Sequence, residues 1–263
     1  MDLQLTGKTA VVTGASKGIG LEIVRALTAE GVRVVAGART VTRELRALDG
    51  LSTAVTADLA TPAGAAVLIE RAREQLGEID ILVNNVGGVV AGSADAAGFL
   101  DIADDAWQRT FELNLFGTVR VTRHALPSLL RQRGVIINIS SIGARAAYHP
   151  VDYGTAKAAL NNLTKALAEE FGAQGLRALT VSPGPTRTRN WSASDGYAAD
   201  VAAQHGTTLA EFLDQVPTRM GITTGRLTEP GETAALVTFL ASARSGNLTG
   251  ADYLADGGVI KTV

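Results

Sequence analysis

Ser140, Tyr153 and Lys157 form a set that can hold a carbonyl oxygen and hand it a proton. Tyr153 follows Ser140 by thirteen residues, and Lys157 follows Tyr153 by four. Four residues on a helix share one face, so the Lys157 ammonium is expected beside the Tyr153 phenol, where a positive charge favours the ionised form. An unperturbed tyrosine titrates near ~10, too high for easy proton exchange at neutral pH. A fixed cation at that distance is expected to lower it and so make Tyr153 a working acid and base.

The elements that must position these groups are legible as short β-branched runs alternating with longer helical patterns. Strands are expected at 9–13, 33–36, 53–56, 81–83, 135–139, 178–181 and near 253–254, with helices at 19–30, 63–75, 105–131 and 153–171. Several of the strands are almost wholly apolar, as they are when helices cover both faces of a parallel sheet. Thr61-Pro62 is expected to start a helix, with threonine as cap and proline in the first turn. The alternation predicts an α/β fold, one Rossmann-type doubly wound parallel sheet with helices on both faces. Nothing divides the chain, so 1–263 is expected to be a single domain.

Composition narrows the chemistry. With 24 Lys plus Arg against 26 Asp plus Glu, the net charge is −2, and no field draws the chain to nucleic acid or to an anionic membrane. No cysteine is present, which removes disulfides, thiol nucleophiles and cysteine-ligated metals; no metal site is expected. The N-terminal residues show no basic segment followed by an apolar run, and no stretch is long and apolar enough to span a bilayer, so a cytoplasmic location is expected.

After the first strand comes Gly14-Ala15-Ser16-Lys17-Gly18-Ile19-Gly20, leading straight into a helix. Glycines there allow positive φ and close backbone approach, so Gly14, Ser16, Lys17, Gly18, Ile19 and Gly20 are expected to receive the pyrophosphate of a dinucleotide at the helix start. The same string fits Gly-x-Ser-x-Gly, the elbow of a serine hydrolase. That reading fails on its partners, because His124, His149 and His205 lie in no matching pattern and Ser16 follows the first strand rather than a later one. At the end of the second strand stand Ala38 and Arg39 where an acidic residue would mark a bare ribose. A guanidinium there favours a 2′-phosphate, so NADP(H) is expected over NAD(H), with Lys17 as a second cation.

Taken together, Thr13-Gly14-x-x-x-Gly18-x-Gly20, Asn84-Asn85-Val86-Gly87, Asn114, Ser140, Tyr153-x-x-x-Lys157 and Pro183-Gly184 occur in an order that resembles the short-chain dehydrogenase/reductase family, from about Leu5 to about Gly258. The resemblance is to its 3-oxoacyl-thioester and ketone reductases. It implies a sheet in the order 3-2-1-4-5-6-7 and a catalytic tetrad of Asn114, Ser140, Tyr153 and Lys157. Of two adjacent serines, the family pattern Ser-x-x-Gly with tyrosine thirteen residues on fits Ser140 with Gly143 rather than Ser141. The resemblance further implies that Asp58, followed by Leu59, contacts the adenine, and that Asn85 and Gly87 lie along the cofactor. Lys157 would hold ribose hydroxyls, and Pro183, Gly184, Thr186 and Thr188 the nicotinamide amide. Asn114 would open its helix locally and hold a water that relays protons to Lys157. Val86 departs from the usual alanine, and its extra methyls are expected to crowd the sheet edge near the cofactor.

The implied reaction is hydride transfer between NADP(H) and a small ketone or secondary alcohol, with Tyr153 as general acid and base. An alcohol or sugar dehydrogenase working in oxidation, or a cofactor-binding regulator without turnover, would carry many of the same motifs. Residues 189–226 are long enough to form a substrate lid, with Trp191, Tyr197, Phe212 and Met220 on it. Leu209, Phe212, Leu213 and Val216 fall at helical spacing and are expected mainly as core. Arg145, Tyr148 and His149 are expected on the opposite wall, and Arg187 and Arg189 near the mouth. Family resemblance also implies a homotetramer or homodimer built on the two long helices.

Overall fold

The computed structural model describes residues 1–48 and 50–262. Seven parallel strands form one sheet: β1 (Thr9–Thr13), β2 (Arg33–Ala38), β3 (Ser52–Thr56), β4 (Ile81–Asn84), β5 (Val135–Ile139), β6 (Arg177–Pro183) and β7 (Asp252–Ala255). Their order is β3-β2-β1-β4-β5-β6-β7, which reverses direction between β1 and β4. In such a sheet the crevice beyond the strand ends at the reversal is where ligands bind. Strands β1 and β5 run over the residues expected for them, while β2 continues through Ala38, so that Arg39 leaves the sheet directly above the crevice.

Among the described residues, ten α-helices connect and cover the strands. They are α1 (Gly18–Ala29), α2 (Arg43–Arg46), α3 (Pro62–Leu76), α4 (Asp104–Phe111), α5 (Gly117–Gln132), α6 (Val151–Phe171), α7 (Arg189–Ser192), α8 (Tyr197–Gln204), α9 (Leu209–Arg219) and α10 (Pro230–Ala241). On one face Ile23, Val24 and Leu27 of α1 and Val237 and Leu240 of α10 pack on Val12, Val34 and Ile137. On the other, Leu68 of α3, Val121 and Leu129 of α5 and Leu167 of α6 pack on Val11, Val35, Leu82 and Ile136. Each such side chain contributes roughly 1.5–3 kcal/mol on burial, which is why strands covered on both sides are apolar at most positions. A third apolar cluster lies outside the sheet, where Phe212 and Val216 of α9 meet Ala198 and Ala202 of α8, Ile142 and Leu227.

The start of α3 is as the sequence predicts. Thr61 Oγ1 accepts from Gly64 N at 3.1 Å, and Pro62 fills the first turn. The long helix expected over 105–131 is two helices joined by a π-helical turn, Glu112–Phe116, with Asn114 at its centre. A π turn spreads the backbone bonding pattern, and such turns recur at functional sites.

Candidate active site

One cavity of about 1030 Å³ runs along the strand ends, from the first turn of α1 to α9. At its nucleotide end, Gly14 and Gly18 take φ of 64° and 57°, conformations that L side chains rarely adopt. Gly20 admits no side chain, because a Cβ would stand 2.3 Å from Gly14 O. Asn85 Nδ2 holds the turn by donating to Thr13 O and Gly14 O, each at 3.1 Å. No side chain caps the first turn of α1 among the described residues, and that turn has no acidic residue. Its N–H groups are thus left for an anion, whose charge the helix end favours. The donor set and the room above the glycines fit the pyrophosphate of a dinucleotide.

Gly14, Ser16, Lys17, Gly18, Ile19, Arg39, Asp58, Leu59, Asn85, Gly87, Pro183, Gly184, Thr186 and Thr188 all line this cavity. Gly20 lies just behind it, buried in the packing of α1 on the turn. Lys17 and Arg39 are exposed at the rim. Asp58 Oδ1 accepts from Ala60 N at 3.1 Å, which fixes its carboxylate at the strand end. The segment after β6 folds over the phosphate turn, since a Cβ on Gly18 would come 3.1 Å from Thr188 Cγ2. Val86 faces the cavity while packing against the apolar layer beneath, so its methyls are absorbed by the core.

At the other end of the cleft floor Tyr153 and Lys157 project from α6, with Lys157 Nζ 5.8 Å from the Tyr153 ring centre. Lys157 is buried, and its Nζ donates to Ile139 O at 2.9 Å. Burial in apolar surroundings brings the ammonium down to about 8. Gly87 makes the approach possible: a Cβ there would lie 2.7 Å from both Lys157 Nζ and Asn114 Oδ1. Asn114 in turn is bound to the loop after β4, its Oδ1 accepting from Gly88 N and its Nδ2 donating to Gly88 O, both at 2.9 Å. Nδ2 also donates to Thr110 O at 2.9 Å, a carbonyl one turn back.

Ser140 and Ser141 both line the cleft with Tyr153, and one expectation about this cluster, a lowered phenol, is corrected. Ser140 is buried and its Oγ donates to Lys157 O at 3.3 Å, turned into α6. Ser140 continues the strand pairing by donating its N–H to Val181 O at 2.8 Å, which fixes its backbone at the end of β5. The phenol is not lowered by Lys157. Burial pushes it up, and the Ser141 hydrogen bond offsets only part of that rise. The same burial depresses Lys157, weakening the charge that was to act on the phenol.

On the substrate side, Trp191, Tyr197, Phe212, Val216 and Met220 form one wall, with Tyr148 and His149 opposite. The stripe on α9 therefore does two things: Phe212 and Val216 anchor the third apolar cluster and also face the cleft. Arg145 departs from expectation because Asp252 draws it away, Nε to Oδ2 at 2.7 Å. Arg187 likewise turns to Glu229, at 2.9 Å. Arg189 lines the cleft and pairs with Asp195 at 2.5 Å.

A doubly wound parallel sheet with an anion-binding first turn and a Tyr-Lys pair in the same crevice defines a dinucleotide-dependent oxidoreductase. The model for short chain dehydrogenases matches residues 8–196. Oxidoreductase UcpA of Escherichia coli K12 is 36% identical over 97% of this chain and 95% of its own. 3beta-Hydroxysteroid dehydrogenase 1 of Eggerthella lenta is 34% identical over 97% of this chain and 94% of its own. L-sorbose reductase of Gluconobacter frateurii, solved with NADPH and L-sorbose, superposes with a TM-score of 0.90 at 34% identity, covering 100% of both chains. The chain belongs to the short chain dehydrogenase family, oxidoreductases that work with a nicotinamide cofactor on alcohol- and ketone-type substrates. No helix among the described residues is long and apolar enough to cross a membrane.

Proposed function

We propose that this chain is an NADP(H)-dependent oxidoreductase interconverting a small ketone and its secondary alcohol, with Tyr153 as the proton donor and acceptor. The observation that carries the reading is the convergence of Ser140, Tyr153 and Lys157 on one cleft with an uncapped helix start flanked by Lys17 and Arg39. When bound, the nicotinamide supplies the hydride. Gly14, Ser16, Gly18, Ile19 and Gly20 would receive the pyrophosphate, Asp58 and Leu59 the adenine, and Arg39 with Lys17 a 2′-phosphate. Asn85 would lie against the adenosine side of the cofactor, and Gly87, Pro183, Gly184, Thr186 and Thr188 would line the nicotinamide side.

Tyr153 stays protonated because burial disfavours the phenolate, which suits a donor to an oxygen gaining negative charge. Ser140 donates to the same oxygen and stabilises that charge. Lys157, near 8, replenishes the proton lost by Tyr153 and holds ribose hydroxyls. Asn114 spaces the π turn so that the Lys157 end of the pocket keeps its shape. The NADPH-bound L-sorbose reductase supports reduction of a ketone as the working direction. Assembly through the α4–α5 column and α6, where Phe116 is 45% exposed, completes the proposal as a homotetramer or homodimer.

NADPH consumption over a panel of free ketones, ketoses and 3-oxoacyl thioesters tests the reading. Reduction of at least one, faster with NADPH than with NADH, is expected. Arg39→Asp should reverse the cofactor preference, and a wild type that prefers NADH would refute the assignment of Arg39.

A further inference from the structure

Asp152 stands immediately before Tyr153 in the first turn of α6, and the reaction proposed above makes no use of it. It is 0% exposed, as are Ser93 and Thr110, whose hydroxyls both donate to its Oδ2 at 2.5 Å. Its Oδ1 is buried with no hydrogen-bond partner among the described residues. A buried carboxylate with one oxygen unpartnered opposes folding, and the favourable field at a helix start offsets only part of that cost. Residues that break a local rule in this way mark places where geometry matters more than stability.

The two hydroxyls lead to both sides of the reacting centre. Thr110 O accepts from Asn114 Nδ2, and Asn114 exchanges two hydrogen bonds with Gly88, beside Gly87 and Lys157 Nζ. Ser93 belongs to the loop after β4 that carries Val89 and Ala94 on the cleft wall. That loop is pinned a second time at the rim, where His149 Nε2 lies 2.7 Å from Ala96 O. Bonds from hydroxyls to an ionised acceptor are about twice as strong as neutral ones, so one carboxylate can hold α4, the loop and α6 together.

We infer that Asp152 is a positioning residue: it locks the Tyr153 end of α6 to Thr110 and Ser93, holding Asn114 and the wall at Val89 and Ala94 in register with the phenol. The inference rests on the proposed proton transfer at Tyr153. Asp152→Ala should lower kcat roughly a hundredfold, the cost of a misplacement of about 1 Å, while the NADPH Kd from fluorescence titration stays that of the wild type. Asp152→Asn should recover most of the loss, because an amide oxygen in the place of Oδ2 accepts from both hydroxyls. Thr110→Val, which keeps the shape, should lower kcat in the same sense and add nothing in the double variant with Asp152→Ala. Amide exchange at Gly88 should quicken in Asp152→Ala, a readout independent of turnover.

Unchanged exchange at Gly88, a kcat equal to wild type, or effects of the two substitutions that multiply would overturn the role. Should Asp152→Ala fail to fold, Thr110→Val decides, and a wild-type kcat in that variant overturns it. A wild type that reduces no carbonyl removes the proposed function itself and this role with it, whereas an active wild type with insensitive variants removes only the role.

Discussion

The floor of the cleft and the segment 189–226, expected to lie over it as a lid, are built on opposite terms. On the floor, Lys157 is taken out of water and depressed to about 8, and Asp152, next to Tyr153 in α6, is buried with one oxygen unpartnered among the described residues. Above it, α8 and α9 are held by an ordinary apolar cluster centred on Phe212 and Val216, with a capping box at Thr208 and Glu211 fixing the start of α9. The floor gives up stability for geometry and proton affinity, and the lid gains stability from burial. Substitutions on the floor should therefore damage turnover and spare or raise stability, while substitutions on the lid should do the reverse.

The largest effect expected is on the floor. Ser140→Ala should cost about a thousandfold in kcat, as loss of a donor to a developing oxyanion does, whereas Ser141→Ala should change kcat by less than about tenfold. A larger loss from Ser141→Ala would move the role to the neighbouring hydroxyl. On the lid, Phe212→Ala should destabilise by about 3 kcal/mol in denaturant unfolding and raise KM more than it lowers kcat. A collapse of kcat with KM unchanged would break the contrast between the two regions.

A smaller and more specific effect concerns pH. Lys157 falls from 10.5 to about 8 on folding, so between those values the unfolded chain binds more protons and stability rises with pH. Lys157→Met removes this penalty, and should be more stable than wild type at pH 7 while losing turnover. Its advantage should shrink by about 2 kcal/mol between pH 7 and pH 10, as unfolding titrations at the two values would measure. An advantage that does not change with pH would mean that Lys157 is not charged against its surroundings.

The cofactor end was legible in the sequence because backbone geometry writes itself in glycine: Gly14, Gly18 and Gly20 have one physical reason each to lack a side chain. The sheet was legible because burial on both faces demands largely apolar strands, as in β1, with Ala10, Val11 and Val12 at its centre, and in β5, where Asn138 alone interrupts the run. Side-chain direction was not. Spacing counts residues along the chain, but whether Ser140 or Ser141 meets Tyr153 depends on the pleat at the end of β5 and on the 3₁₀ turn at Ile142–Ala144. Arg145 and Arg187 were placed on the cleft by sequence proximity, and partners distant in sequence, Asp252 and Glu229, took them elsewhere. Asp152 was missed because an acidic residue in a first helical turn reads as a solvated complement to the helix end. Its partners Ser93 and Thr110 carry no pattern that links them to it.

The central claim is that the Tyr153 phenol moves the proton. Its most direct test is single-turnover reduction of an accepted ketone by Tyr153→Phe alongside NADPH titration of the same variant. The account predicts cofactor binding like that of the wild type and loss of nearly all reduction, and reduction at a rate near wild type would contradict it.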